Sequence, residues 1–155
     1  MADELVIQTD TATLVVLDPE CLQHRDSDEC DWWSDPDEEL KEVRSGSALF
    51  VALGADGVYR VRVTVEGAAL PDPQLAARVR CSSGLLFLGP GEDTPGAGSR
   101  PGTRLGGAYY ELPKGTYRVC MTRPEQWDLL VSLAAVPGEP ANDVAEPLEL
   151  PLLRK

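Results

Sequence analysis

The single histidine of the chain lies between two cysteines, in a pattern that could bind zinc. Cys21, His24 and Cys30 are spaced as Cys-x2-His-x5-Cys, and thiolates and imidazoles are ligands that Zn²⁺ prefers. This spacing matches no familiar zinc finger or ribbon, and a fourth ligand would have to come from Asp26, Asp28 or a distant cysteine. The alternative is a loop that contains buried thiols. We therefore predict no metal site and no cofactor.

Residues 18–42 hold a concentration of carboxylates. Eleven acids and two bases leave an excess of nine negative charges (11 − 2) in a chain whose net charge is −12. Carboxylates bind cations and steer basic partners, although an acidic surface also serves solubility. The pattern does not fit an EF-hand loop and lacks its sixth-position glycine. The acids are Asp18, Glu20, Asp26, Asp28, Glu29, Asp31, Asp35, Asp37, Glu38, Glu39 and Glu42.

Two adjacent tryptophans lie inside this acidic stretch. Trp32 and Trp33 precede a helix signal, so one of them is expected to pack beneath that helix. If the other is exposed, an aromatic ring surrounded by carboxylates is typical of a protein-binding hot spot. The alternative is that both rings anchor the segment to the rest of the domain.

The sequence contains no recognised catalytic or nucleotide-binding motif. It lacks the nucleophile elbow, the Walker loop and the zinc-protease helix motif. The glycine-rich stretch 89–107 has no Gly-Lys-Ser/Thr and opens no helix, which favours a flexible loop over a phosphate site. Carboxylate pairs of the glycosidase type cannot be recognised in so acidic a chain. We expect a non-enzymatic protein without catalytic residues.

Charge and hydropathy restrict the partners and the compartment. A net charge of −12 and a pI of about 4.4 argue against binding nucleic acid or an anionic membrane, and permit a basic protein partner. No apolar run approaches the roughly 20 residues of a membrane span. Residues 1–4 are acidic rather than signal-like, so we expect a cytoplasmic protein with reduced cysteines.

One helix signal stands out within the acidic stretch. Asp35 can cap a helix in which Pro36 occupies the first position and Glu38 completes a capping box. Leu40 and Val43 form a narrow apolar stripe. A helix is therefore predicted from residue 36 to about 44.

The remaining pattern is that of short strands and turns. Alternation after Asp56-Gly57 predicts a hairpin over 47–66, and a Pro-Lys-Gly turn predicts a second over 108–122. About nine strands indicate an all-β, antiparallel, jelly-roll-like sandwich. We expect one domain over 1–155, with 18–46 inserted as an acidic loop plus helix and 89–107 as a Gly/Pro-rich loop.

Five arginines form a second group of charged residues, besides the acidic stretch. They project from the predicted outer faces of strands and could line one sheet face, or the acidic segment could fold back and neutralise them. We favour the second interpretation. The residues are Arg60, Arg62, Arg78, Arg80 and Arg118.

Three segments carry a resemblance to known proteins. They are Val16-Leu17-Asp18-Pro19, the stretch from Asp56 to Val61, and the stretch from Gly107 to Val119. Their arrangement is similar to uncharacterised families of small bacterial β-sandwich proteins and, more distantly, to the inhibitor of the competence DNA-entry nuclease. That resemblance implies an acidic protein that occupies a basic active cleft.

The leading hypothesis is a bacterial binding protein, such as an inhibitor or immunity protein for a basic partner. The alternatives are a small-molecule or carbohydrate-binding module and a cation-binding structural protein. Sequence does not define the oligomeric state. The predicted partner-binding residues are Asp28, Asp31, Trp32, Trp33, Asp35, Asp37, Glu38 and Glu39.

Overall fold

Two stacked five-stranded sheets form the protein. The computed structural model describes residues 2–67, 70 and 72–153. The first sheet contains, in spatial order, β1 (Ala2–Thr9), β4 (Gly57–Val65), β9 (Asp128–Val136), β8 (Gly115–Glu125) and β5 (Leu75–Cys81). The second contains β10 (Leu148–Glu149), β3 (Ala48–Ala52), β2 (Thr13–Leu17), β6 (Leu85–Pro90) and β7 (Ala108–Glu111). The predicted all-β sandwich is thus confirmed.

The sheets are mixed rather than purely antiparallel. β4 runs parallel to β9, and β10 runs parallel to β3, while the other paired strands are antiparallel. β10 lies at the edge of its sheet, where a late edge strand was predicted over 148–153, but it is only two residues long.

Both predicted hairpins are wrong, because the chain changes sheet at each of these turns. β3 pairs with β2 and β10, whereas β4 pairs with β1 and β9. In the same way β7 pairs with β6, whereas β8 pairs with β5 and β9. An Asp-Gly or Pro-Lys-Gly turn fixes a local reversal of the backbone, but the hydrogen-bond partners of the next strand come from distant sequence.

The two sheets differ in how they are buried. In β4 Tyr59, Val61 and Val63 are buried, while Arg60 and Arg62 are exposed, as expected for a sheet with one face in water. In the second sheet all five residues of β2 and the first four of β3 are buried. This second sheet is therefore covered on both faces.

The predicted helix is confirmed as α1 (Pro36–Ser45). The Asp35 side chain accepts a 2.9 Å hydrogen bond from the amide of Asp37. The helix ends at Gly46, whose φ of +74° suits glycine. Leu40 and Val43 are buried, so α1 presents its apolar stripe to the domain. Among the described residues it is the one α-helix.

The Gly/Pro-rich stretch 89–107 has more structure than the predicted flexible loop. β6 continues to Pro90, and a 3-10 turn follows over Gly91–Asp93. The Glu92 carboxylate accepts bonds from both hydroxyls of Thr9 and Thr11, at 2.9 and 2.6 Å. Farther along, the carbonyl of Leu105 accepts a 2.9 Å bond from the amide of Gln8 in β1. Both ends of the stretch are thus fixed to the sandwich.

A buried arginine joins three segments that are distant in sequence. Arg123 is 2% exposed and donates to the carbonyls of Leu53, Gln126 and Leu150 at 2.6–3.0 Å. A guanidinium with five N–H donors can satisfy several acceptors at once. Arg123 therefore holds the segment around β10 against the β3–β4 and β8–β9 connections.

Candidate functional site

The acidic segment is anchored to the outer face of the second sheet by its two tryptophans. Trp33 stacks on Phe50 of β3, with ring centroids 5.7 Å apart and an interplanar angle of 10°. Trp32 meets the same ring edge-on at 5.8 Å, and its indole N–H donates to the carbonyl of Pro95 at 2.7 Å. Trp32 is buried and Trp33 is half-buried. Both tryptophans therefore anchor the segment to the sandwich, which is the alternative that the sequence left open.

Arg25 organises the carboxylates of this segment. Its guanidinium contacts Asp28 at 3.0 Å, Glu38 at 3.3 Å and Glu42 at 2.8 Å, and lies 4.2 Å from the centroid of the Trp32 ring. Burial of the guanidinium opposes its charge, but the hydrogen bonds to these carboxylates outweigh burial and raise the pKa of Arg25. A single guanidinium thus pairs with three carboxylates of the segment.

Lys41 and Arg25 act together on Glu38. A hydrogen bond from Lys41 in the next turn, assisted by Arg25, lowers the pKa of the Glu38 carboxyl despite some desolvation. Glu38 therefore stays ionised at the rim of the site.

The three residues weighed as zinc ligands in the sequence lie in separate surroundings. The Nε2 atom of His24 lies 2.9 and 3.0 Å from the two carboxylate oxygens of Glu42. The Cys21 thiol lies 3.3 Å from the Ser82 hydroxyl, while Cys30 is exposed. Within the part of the chain that the structure describes, no group of three or more His, Cys, Asp or Glu residues is arranged to hold a metal ion.

An open depression of about 450 Å³ lies at the surface of the segment, between the Arg25 cluster and the start of α1. We call it the acidic depression. Five of the eight predicted partner-binding residues line it, and Trp33, Asp37 and Glu39 do not. The lining consists of Arg25, Asp28, Glu29, Asp31, Trp32, Ser34, Asp35 and Glu38.

Three lining residues, Arg25, Glu29 and Ser34, were absent from the predicted set. Glu29 is exposed and adds a carboxylate beside Asp31. Arg25 is the base that the carboxylates surround. The sequence signal that could have identified Arg25 is that it is an isolated base among acids. Asp28 follows it three residues later.

The carboxylates around the depression fall into inward and outward groups. Asp28 and Glu38 bind Arg25, and Asp35 caps α1. Glu29 and Asp31 are exposed, and their side chains have no bonding partner among the described residues. These two are therefore the carboxylates most available to a partner.

Glu39 is a separate case. It is half-buried on α1, and desolvation raises the pKa of its carboxyl to about 7. Glu39 lies outside the lining of the acidic depression, so this desolvation belongs to α1 and not to the depression.

Asp18, the first acid of the segment, is fully buried and structural. Its carboxylate accepts hydrogen bonds from the amides of Ser82 and Ser83, both at 2.7 Å, and from the Ser83 hydroxyl at 2.8 Å. The negative charge of Asp18 is thus bound by hydrogen bonds inside the fold.

The five arginines share the outer face of the first sheet, and the backbone carbonyl of Arg80 lies 3.9 Å from the Cys21 thiol of the acidic segment. Arg60 pairs with Asp128 at 2.9 Å, Arg62 lies 3.9 Å from Glu4, and Arg78 donates to the carbonyls of Pro137 and Glu139. The acidic segment packs on Phe50 of the second sheet instead. The expectation that it folds over the arginines is therefore wrong.

The lining of the acidic depression is polar and mostly carboxylate. Ser34 supplies its one hydroxyl, which donates to the backbone carbonyl of Asp31 at 2.7 Å. The carboxylates of the lining can accept hydrogen bonds from an ammonium or guanidinium group, and the enclosed Arg25 guanidinium holds two of them in place. No helix in the described residues has the length and apolar character needed to cross a membrane.

Two solved structures resemble this fold over most of the chain. "Crocagin biosynthetic gene J" is similar, with a TM-score of 0.58, 14% identity, and coverage of 87% of this chain and 97% of that chain. ComJ from Bacillus subtilis, inhibitor of the DNA degrading activity of NucA, gives a TM-score of 0.50 and 11% identity, with coverage of 88% and 96%. The predicted resemblance to the competence nuclease inhibitor is thus confirmed at the level of the fold.

The chain belongs to a family of unknown function, DUF6386, whose profile matches residues 1–149. No curated protein matches the sequence.

Proposed function

We propose that this protein is a non-enzymatic inhibitor-type protein that binds a basic protein partner through the acidic depression. The observation that carries the proposal is a carboxylate-lined concavity fixed to the sandwich by Trp32, Trp33 and Arg25. The ComJ-like fold supports it, since ComJ is an inhibitor of a DNA-degrading activity.

Preorganisation gives this surface its suitability for a partner. Arg25 is only 11% exposed and is bound to two carboxylates that line the depression, those of Asp28 and Glu38. Holding carboxylates in place before binding reduces the entropy lost on association. A basic surface is then attracted at long range and meets a shaped anionic site.

The outward pair Glu29 and Asp31 is the place to test this interaction. The variant E29K/D31K changes the net charge from −12 to −8 (−12 + 4) without touching an ion pair. The matched control E125K/E146K makes the same change at exposed acids outside the depression. Each protein is used as bait in a lysate of the source organism at low salt, and proteins released by a salt gradient are identified.

We expect a basic protein that the wild type and E125K/E146K retain and that E29K/D31K loses. With the purified partner, E29K/D31K should weaken the affinity by about tenfold or more, and the affinity should fall with salt. If the partner degrades DNA, that activity should fall when the wild type is added. Equal binding by the two variants, or a salt-insensitive complex, would contradict the proposal.

A further inference from the structure

A second pocket, of about 320 Å³, lies beside the start of β6 on the outer face of the second sheet. It shares no lining residue with the acidic depression. Its walls come from the 3-10 turn after β2, the Ser83 turn, strands β6 and β7, and the long loop. The lining residues are Asp18, Pro19, Glu20, Gln23, Ser83, Leu85, Arg100 and Tyr109.

One wall of this pocket is apolar and exposed. Leu85 and Tyr109 are each 38% exposed. The Tyr109 ring lies 5.1 Å from that of Phe87, and its hydroxyl donates to the carbonyl of Pro101 at 2.7 Å. Because the ring is held at both ends, it offers a fixed face on which an apolar group can pack.

The polar wall is built on the buried Asp18 carboxylate. That group accepts four hydrogen bonds, from the amides of Glu20, Ser82 and Ser83 and from the Ser83 hydroxyl. These bonds tie the 3-10 turn to the Ser83 turn, so the pocket is formed before any ligand arrives. They also leave Asp18 as part of the wall rather than as a ligand-binding group.

Two opposite charges remain at the rim. Arg100 is exposed on the long loop, and Glu20 is exposed on the 3-10 turn; neither side chain has an ion-pair or hydrogen-bond partner among the described residues. A guanidinium binds carboxylates and phosphates through strong, charge-assisted hydrogen bonds. Since the lining holds two carboxylates and one guanidinium, a purely anionic ligand would be repelled, and a ligand needs a cationic group as well.

We propose that this pocket binds a small amphipathic zwitterion of about the size of an aromatic amino acid. The apolar group packs on Leu85 and Tyr109, the ligand carboxylate pairs with Arg100, and the ligand ammonium pairs with Glu20. The volume lies at the lower end of the range for small-molecule sites. This inference is independent of the partner surface.

Calorimetric and NMR titrations with L-phenylalanine, L-tyrosine and L-tryptophan test the proposal on the full chain. At least one should bind saturably and shift resonances of Leu85 and Tyr109. N-acetyl-L-phenylalanine and L-phenylalaninamide, which each lack one charge, should bind about tenfold more weakly than L-phenylalanine. Absence of saturable binding by all three amino acids would overturn the proposal.

Variants assign the two charges. R100Q should remove the preference for the free carboxylate, and E20Q should remove the preference for the free amine. R104Q is the matched control, since Arg104 is exposed in the same loop but does not line the pocket. Equal losses in R100Q and R104Q, or blocked ligands that bind as well as free amino acids, would overturn it. E29K/D31K should bind the amino acid like the wild type.

Discussion

At the scale of single residues, the fold separates ionisable groups that work inside it from those that face water. Asp18 and Arg123 are fully buried and bonded to amides, hydroxyls and carbonyls. Glu42 is buried beneath Arg25 and His24. The outward charge is therefore carried by fewer acids than composition suggests, among them Glu29 and Asp31.

Glu39 is the half-buried acid with the clearest consequence for pH. Its pKa is about 7 in the folded protein, against 4.5 as its ordinary value. The contribution of Glu39 to the free energy of unfolding is therefore fully present below pH 4.5. It is lost as the pH rises through 7, because folding then keeps an ionised carboxylate partly desolvated. E39Q should be more stable than the wild type by about 1–2 kcal/mol at pH 8 after allowance for solvent screening, and equally stable at pH 4.

Urea unfolding at both pH values measures this difference. E29Q removes one negative charge from an exposed site of the same segment and serves as the control for net charge. If E39Q and E29Q change the free energy of unfolding by the same amount at pH 8, burial of Glu39 has no role in the pH dependence.

Most residues of the acidic depression were predictable from the sequence, but the contacts that each side chain makes were not. Local counting located the acidic stretch, and five of the eight predicted residues line the depression. Whether Trp32 faces water or Phe50 depends on a strand that lies 18 residues away (50 − 32). The enclosure of Arg25 by Glu38 and Glu42 likewise requires the turn that brings α1 back over residues 19–25.

At the scale of elements, α1 was predictable because its signals are local. The Asp35 cap, Pro36 and Gly46 lie at its own ends, and the prediction missed only the last residue. The hairpins failed because a turn does not determine which sheet the next strand joins. Val61 pairs with Leu5 on one side and with Leu129 on the other, and neither partner is visible from the turn at 55–57.

The docking of the Gly/Pro-rich stretch 89–107 on β1 depends on a glycine. Gly106 has a φ of +97°, and a Cβ built there would lie 1.7 Å from the carbonyl oxygen of Val6. Its neighbour Leu105 accepts the Gln8 amide, so the loop covers part of an exposed strand edge. G106A should lower the free energy of unfolding by about 2–4 kcal/mol, because both the backbone conformation and the contact resist a side chain.

G102A provides the comparison in the same loop, since a Cβ on Gly102 meets nothing within 4 Å. That variant should differ from the wild type by no more than about 0.5 kcal/mol in urea unfolding. Equal stability of G106A and G102A would show that the loop does not pack on β1 in solution.

At the scale of the whole molecule, the two sheets present surfaces of opposite character. The acidic segment covers the outer face of the second sheet through Phe50, while the five arginines lie on the outer face of the first. The charge of −12 is thus unevenly distributed. This separation leaves the acidic depression without basic strand residues in front of it and would orient the molecule toward a basic partner.

The same uneven charge predicts how salt changes stability. Outward acids such as Glu29 and Asp31 repel one another, whereas the Arg25 cluster is largely shielded from solvent and responds less to ions. Raising NaCl from about 0.02 to about 0.5 M should therefore raise the free energy of unfolding by about 1 kcal/mol, measured in urea at pH 8.

E29K/D31K and E125K/E146K have the same net charge of −8 (−12 + 4). If repulsion is concentrated in the acidic segment, the first variant should lose more of the salt gain than the second. Stability that falls with salt would instead show that exposed pairs such as Arg60–Asp128 dominate the electrostatics.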